Sequence, residues 1–157
     1  MLVSFYRSNQ AGPLFFTPLL IGLFWISGFL NPIIIPEEGM PFYQFFLNFF
    51  LKFDPLITSI FSFILISFQA IYFNHIINKY EVFPKKTNLP LIIYAIISIS
   101  SPEFLAFSPI LFVNILLLII TDNLFKLYKN NNPLPLIFNL GTLLSIATLF
   151  YFPSIVL

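Results

Sequence analysis

Between Leu56 and Ile77 the chain carries no Asp, Glu, Lys or Arg, and most of its residues are aliphatic or aromatic. A run of this length matches the ~20 apolar residues that an α-helix needs to cross ~30 Å of hydrocarbon. It does not stand alone. Pro13–Leu30, Leu89–Ser101, Phe104–Thr121 and Leu136–Leu157 are also free of charge. Between them lie short, turn-rich pieces that hold the charged residues. Those make up 8% of the sequence, against roughly 25% in a soluble domain, and the mean hydropathy is +0.95. The surface of a water-soluble globule is missing. The fold class expected is all-α: a polytopic membrane helical bundle of about five membrane segments, forming a single transmembrane domain over residues 1–157.

Punctuation within the segments refines this. Pro18 predicts a kink in the first one, and Trp25, toward its far end, reads as part of an aromatic belt. A cleaved signal peptide is disfavoured, because only Arg7 precedes the run and no small-residue cleavage pattern follows it. Leu89–Ser101 is short for a full crossing. With Phe104–Thr121 it forms an apolar hairpin turned at Ser101-Pro102-Glu103. Gln69, Tyr72, His75 and Asn78 recur every three residues and suggest a polar face at the far end of their helix. Gln69 and Asn114 are mid-segment amides expected to hydrogen-bond between helices.

Two further patterns bear on packing. In Pro41–Phe53 the polar residues Gln44, Asn48 and Lys52 are spaced by four and make one narrow stripe on an otherwise aromatic helix. At roughly 20 Å that helix is too short to cross a bilayer, so it reads as an interfacial amphipathic helix, with a core helix of a hairpin as the alternative. Gly141, Ser145 and Thr148 fall on nearly one face of the last segment. Small residues at that spacing let helices approach closely.

Charge asymmetry orients the chain. With the N-terminus in the cytoplasm, Arg7, Lys79, Lys85, Lys86, Lys126 and Lys129 lie inside and only Lys52 lies outside. Glu37, Glu38, Asp54 and Glu103 lie on the outer side. That distribution follows the positive-inside rule and predicts a C-terminus on the outer side.

The same inventory excludes chemistry. A formal net charge of +1 argues against nucleic acid as a partner. There is no Cys and His75 is the single His, so thiol catalysis and a multi-His metal site within one chain are ruled out. No glycine-rich phosphate loop or nucleophile elbow occurs. His75 itself reads as a headgroup anchor.

From Phe68 onward the segments FQAIYFNHIINKYEVF, NLPLIIYAIISISSPEFLAFSPILFVNILLL and IFNLGTLLSIATLFYFPS resemble an uncharacterised inner-membrane family of Bacteroidota, a domain of unknown function. Members are longer, with further spans after the FYFPS-like segment, so the resemblance implies that this chain corresponds to their N-terminal part. Some members are labelled carotene monooxygenase. That chemistry needs an iron site with several His, which this sequence lacks.

Acids on both outer loops also resemble the layout of the GT-C membrane glycosyltransferases. There the first span is followed by an acidic residue and helices along the membrane, and a second acidic site stands in the second outer loop. The resemblance implies a polyprenyl-phosphate sugar donor, a lipid-linked sugar. Glu37 or Glu38 would serve as general base or as ligand of a divalent cation facing the donor phosphate, and Glu103 as an auxiliary ligand or orienter. Against it, no Asp-x-Asp is present and Lys52 is the only base on that side. Read on their own, Glu37 and Glu38 are solvated loop charges and Glu103 is a helix-start acid after Pro102. Three classes stay open: a cell-envelope enzyme, a non-enzymatic subunit packing against other membrane subunits through Gly141, Ser145 and Thr148, and a transporter.

Overall fold

A computed structural model describes residues 2–7, 11–31, 40–50, 52–100, 107–128 and 133–156, and every regular element among them is helical. These are α1 (Leu2–Arg7), α2 (Gly12–Phe24), α3 (Ile26–Leu30), α4 (Pro41–Phe50), α5 (Pro55–Lys79), α6 (Leu89–Ile99), α7 (Pro109–Tyr128), α8 (Leu134–Phe150) and a closing 3-10 turn, Phe152–Val156.

The longest helix shows how local sequence sets the limits. Asp54 caps α5, its carboxylate accepting the Leu56 N–H at 2.8 Å, and Pro55 fills the first helical position, where a missing N–H costs nothing. At the other end Tyr80 ends the helix and Glu81 takes a left-handed φ of 53°. The Val82 N–H then returns to the Ile77 carbonyl at 3.1 Å, the closure that a glycine usually makes.

Two helices, α5 and α7, are long and apolar enough to cross a membrane; α2, α6 and α8 are shorter apolar helices. A soluble core helix would be mostly buried. Here only 39% of the apolar window of α5 and 28% of that of α7 are buried inside the chain, and the rest of each window is half-buried or exposed.

Contacts fix the relative directions. Lys79 and Asp122 pair near the ends of α5 and α7, and Gln69 reaches Leu111 farther back on both, so these two helices run parallel. Tyr94 of α6 meets Gln69 of α5, while Asn88, just before α6, meets Asn74, so α6 is antiparallel. Phe150, at the end of α8, stacks on Phe112 near the start of α7. Trp25, after α2, meets Ser59 near the start of α5. In chain order α2, α5, α6, α7 and α8 therefore alternate in direction.

Two cores hold the bundle. One joins α1, α2, α5, α6 and the start of α7 through Tyr6, Ile21, Trp25, Ile66, Ala70, Leu91, Ala95 and Leu111. The other lies among α4, α7, α8 and the start of α5 and is largely aromatic: Tyr43, Phe107, Val113, Ala147 and Phe150, with Phe46, Phe50, Phe61 and Phe112 against them. Among the described residues the buried polar side-chain atoms are hydrogen-bonded, with Ser67 Oγ on α5 the exception. The Gln69 amide donates to the Leu111 carbonyl at 2.6 Å and accepts from the Tyr94 hydroxyl at 2.9 Å, so one side chain ties α5 to α6 and α7 as expected. Asn114 stands beside the same hydroxyl.

Several expectations shift. Pro18 lies inside α2, and the helical run is interrupted at Trp25. Trp25 is no belt residue: it is fully buried and its indole N–H donates to Ser59 Oγ at 3.0 Å, which in turn donates to the Gly28 carbonyl at 2.9 Å. α7 begins at Pro109 and runs past Asp122 to Tyr128, because the acid is paired rather than solvated. Three-residue spacing drifts by about 60° per step on an α-helix. Accordingly Gln69 is buried, Tyr72 and Asn78 are half-buried and His75 is exposed, so they form no single face.

Candidate functional site

Glu37, Glu38 and Glu103 lie outside the described residues, as does Lys129. Among the described residues no group of three or more His, Asp or Glu could hold a metal ion. Two other parts of the molecule carry features that bear on function.

The first is the outer face of α8. Its inner face packs on α7 and α4 through Ala147 and Phe150. Gly141 and Ser145 fall on the opposite side, exposed, and Thr148 is half-buried at its edge. Their polar atoms are satisfied within the helix: Ser145 Oγ donates to the Gly141 carbonyl at 2.8 Å and Thr148 Oγ1 to the Ser145 carbonyl at 2.7 Å. Phe138, Gly141, Thr142, Ser145 and Ile146 line a shallow depression on this face. A Cβ built on Gly141 meets nothing within 4 Å. No contact inside the described chain therefore requires a glycine there, although glycine in a helix interior costs about 1 kcal/mol relative to alanine.

Next to α8 lies α4, which has three sectors. Tyr43, Phe46, Leu47 and Phe50 face the aromatic core, and the Tyr43 hydroxyl donates to the Phe107 carbonyl at 3.2 Å. Gln44, Asn48 and, just beyond the helix, Lys52 are exposed. Phe42, Phe45, Phe49 and Phe53 form an exposed ridge between them, with Phe45 74% exposed. Lys52 and Phe53, within the helix by sequence pattern, lie beyond it in a turn.

The second part is the end of the bundle where α1, α5 and α7 finish and α6 begins. Asp122 is buried there. Its Oδ1 accepts from Lys79 at 2.8 Å and from the Tyr80 hydroxyl at 2.9 Å, and its Oδ2 pairs with Lys126 at 2.6 Å. Tyr80 stacks on Phe125, ring centroids 4.7 Å apart. The acid thus staples α5 to α7 and joins two bases at one point.

Beside this staple the loop 80–88 is pinned on two sides. Asn78 donates to the Thr87 carbonyl and accepts the Thr87 N–H, both at 2.9 Å. Asn74 donates to Asn88 Oδ1 at 2.9 Å. The Tyr6 carbonyl accepts from the Asn88 N–H at 2.9 Å and from Thr87 Oγ1 at 3.2 Å. These bonds bring α1 against the loop, and Arg7 and Lys85 with it. Arg7, Phe83, Pro84, Lys85, Thr87 and Leu89 line one depression. The pattern reading treated this loop as a charged connection and missed the lock. Its signal is a pair of Asn four residues apart at a helix end, followed by Thr-Asn at the next helix start.

Arg7, Lys79, Lys85, Lys86 and Lys126 therefore gather at this end, while Lys52 stands beside Asp54 at the other. No family model, curated protein or solved structure matches the chain.

Proposed function

We propose that the chain is a multi-pass integral protein of a bacterial inner membrane of the Bacteroidota type, N-terminus in the cytoplasm, and that it works as a packing subunit of an envelope assembly. The length and apolar character of α5 and α7, and the exposed Ile60, Ile64 and Phe68 on α5, support the membrane location. The three-sector α4 supports an interfacial position, with its Phe ridge in the hydrocarbon edge and Gln44, Asn48 and Lys52 toward water. The gathering of five bases at one end supports the orientation. This reading does not draw on Glu37, Glu38 or Glu103.

One observation carries the subunit role: Gly141, with open space around it, and the exposed Ser145 form a small-residue patch between Phe138, Thr142 and Ile146 on the outer face of α8. Inside a bilayer, helices gain nothing from burying apolar surface against one another and associate where small residues let backbones approach. A small-xxx-small face is self-complementary when two parallel copies meet about a two-fold axis. The neighbour assigned to this face is α8 of a second copy.

The natural absence of Cys makes the test direct. In native membranes, Ser145→Cys yields an oxidised dimer, and Ile97→Cys, exposed on α6, does not. Adding Gly141→Leu to Ser145→Cys abolishes the dimer while leaving expression and helicity unchanged, since the new side chain enters empty space. A monomeric Ser145→Cys, or a Gly141→Leu variant that still crosslinks, sinks the proposal.

A further inference from the structure

The depression between Arg7 and Lys85 has the makings of a ligand site outside the α8 surface. Two cations line it, and no carboxylate among the described residues is within ion-pair distance of either; Asp122 is engaged by Lys79 and Lys126. The backbone carrying both cations is held. Arg7 follows Tyr6, whose carbonyl takes two hydrogen bonds, and Lys85 precedes Thr87, which is locked to Asn78. Leu89, the first residue of α6, also lines the depression, so the positive end of that helix adds to the field.

The rest of the lining narrows the ligand. Phe83, Pro84 and Leu89 are apolar, and the Thr87 hydroxyl is already engaged with the Tyr6 carbonyl and the Leu89 N–H. A free inorganic anion has no use for an apolar wall. A lipid has both parts: a phosphate for the cations and carbon for the wall. Basic pockets on the cytoplasmic side of membrane helices take anionic headgroups in this way.

We propose that the Arg7–Lys85 depression holds the phosphate of an anionic phospholipid in the leaflet that meets the basic end. The inference rests on the membrane reading above and is independent of the α8 contact.

The test uses the full chain, purified in a neutral detergent and supplied with phosphatidylglycerol and phosphatidylcholine at equal mole fraction. Bound lipid is counted by native mass spectrometry. The wild type retains phosphatidylglycerol in preference to phosphatidylcholine. Arg7→Gln and Lys85→Gln each lower that retention about fivefold, the effect of one surface base on an anionic lipid. Arg7→Lys keeps most of it, and Lys52→Gln, at the opposite end, leaves it unchanged. Circular dichroism matching the wild type confirms that the variants fold. Equal retention of the two lipids overturns the proposal. So does undiminished retention in the Gln variants, or an equal loss in Lys52→Gln. Complete displacement by millimolar inorganic phosphate overturns it in favour of a free-phosphate site. Alkaline carbonate extraction separates the two failures. Release of the chain from membranes removes the membrane reading itself, whereas a retained chain without lipid preference removes only this site.

Discussion

Glu81 occupies a left-handed conformation that costs an L-residue roughly 1–2 kcal/mol and that glycine adopts freely. Glu81→Gly should therefore raise stability by about 0.5–1 kcal/mol after the glycine's unfolded-state entropy is subtracted. Thermal unfolding in detergent measures it, and a lower melting temperature contradicts it. Single side chains were unevenly legible in the sequence. Gln69 announced itself, because an amide inside an apolar run must find partners, and it bonds to two helices. Trp25 did not. A tryptophan near the end of a segment looks the same whether it faces lipid or core, and only Ser59, 34 residues away, reveals the difference.

At the scale of elements, the sequence located apolar helices better than it located their ends. The segment positions came from the absence of charge, so Asp122 was read as a boundary. In the structure the carboxylate is neutralised by Lys79 and Lys126 and α7 continues for six residues beyond it. Pairing across helices cannot be read from one helix's own pattern. The bases are 39% and 45% exposed, so water partly compensates them when the acid is removed. Asp122→Asn should cost about 1–2 kcal/mol, below the 3–5 kcal/mol typical of a fully buried pair. In a double-mutant cycle with Lys79→Met the losses should be less than additive. Strict additivity would show that the staple contributes no coupling. The α4 stripe was legible because Gln44, Asn48 and Lys52 share one periodicity. The third face, turned to the aromatic core, was not, since Phe toward lipid and Phe toward protein are the same letter.

For the whole molecule, the charge partition read along the chain corresponds to a partition in space, with five bases at one end of an alternating bundle. That agreement has a physical origin. Consecutive segments of alternating direction deliver every second connection to the same end, and the bases sit on those connections or in the last turns of the helices at that end. A reporter inserted in the 79–88 loop should accordingly give a cytoplasmic signal, and one placed at 52–54 a periplasmic signal. A periplasmic signal from the first would reverse the orientation. The candidate acids were legible only as residue types on loops. Glu37, Glu38 and Glu103 lie outside the described residues, and lipid-linked sugar accumulating in a deletion strain is the observation that would bring them back.

The bond from Thr87 to the Tyr6 carbonyl spans 81 residues. During synthesis Tyr6 leaves the ribosome long before its partner exists. The first helices must therefore form with α1 undocked, and this end can lock only after α5 and the loop behind it have emerged. Assembly of this end is thus ordered by translation: the earliest residues made are among the last to find their place.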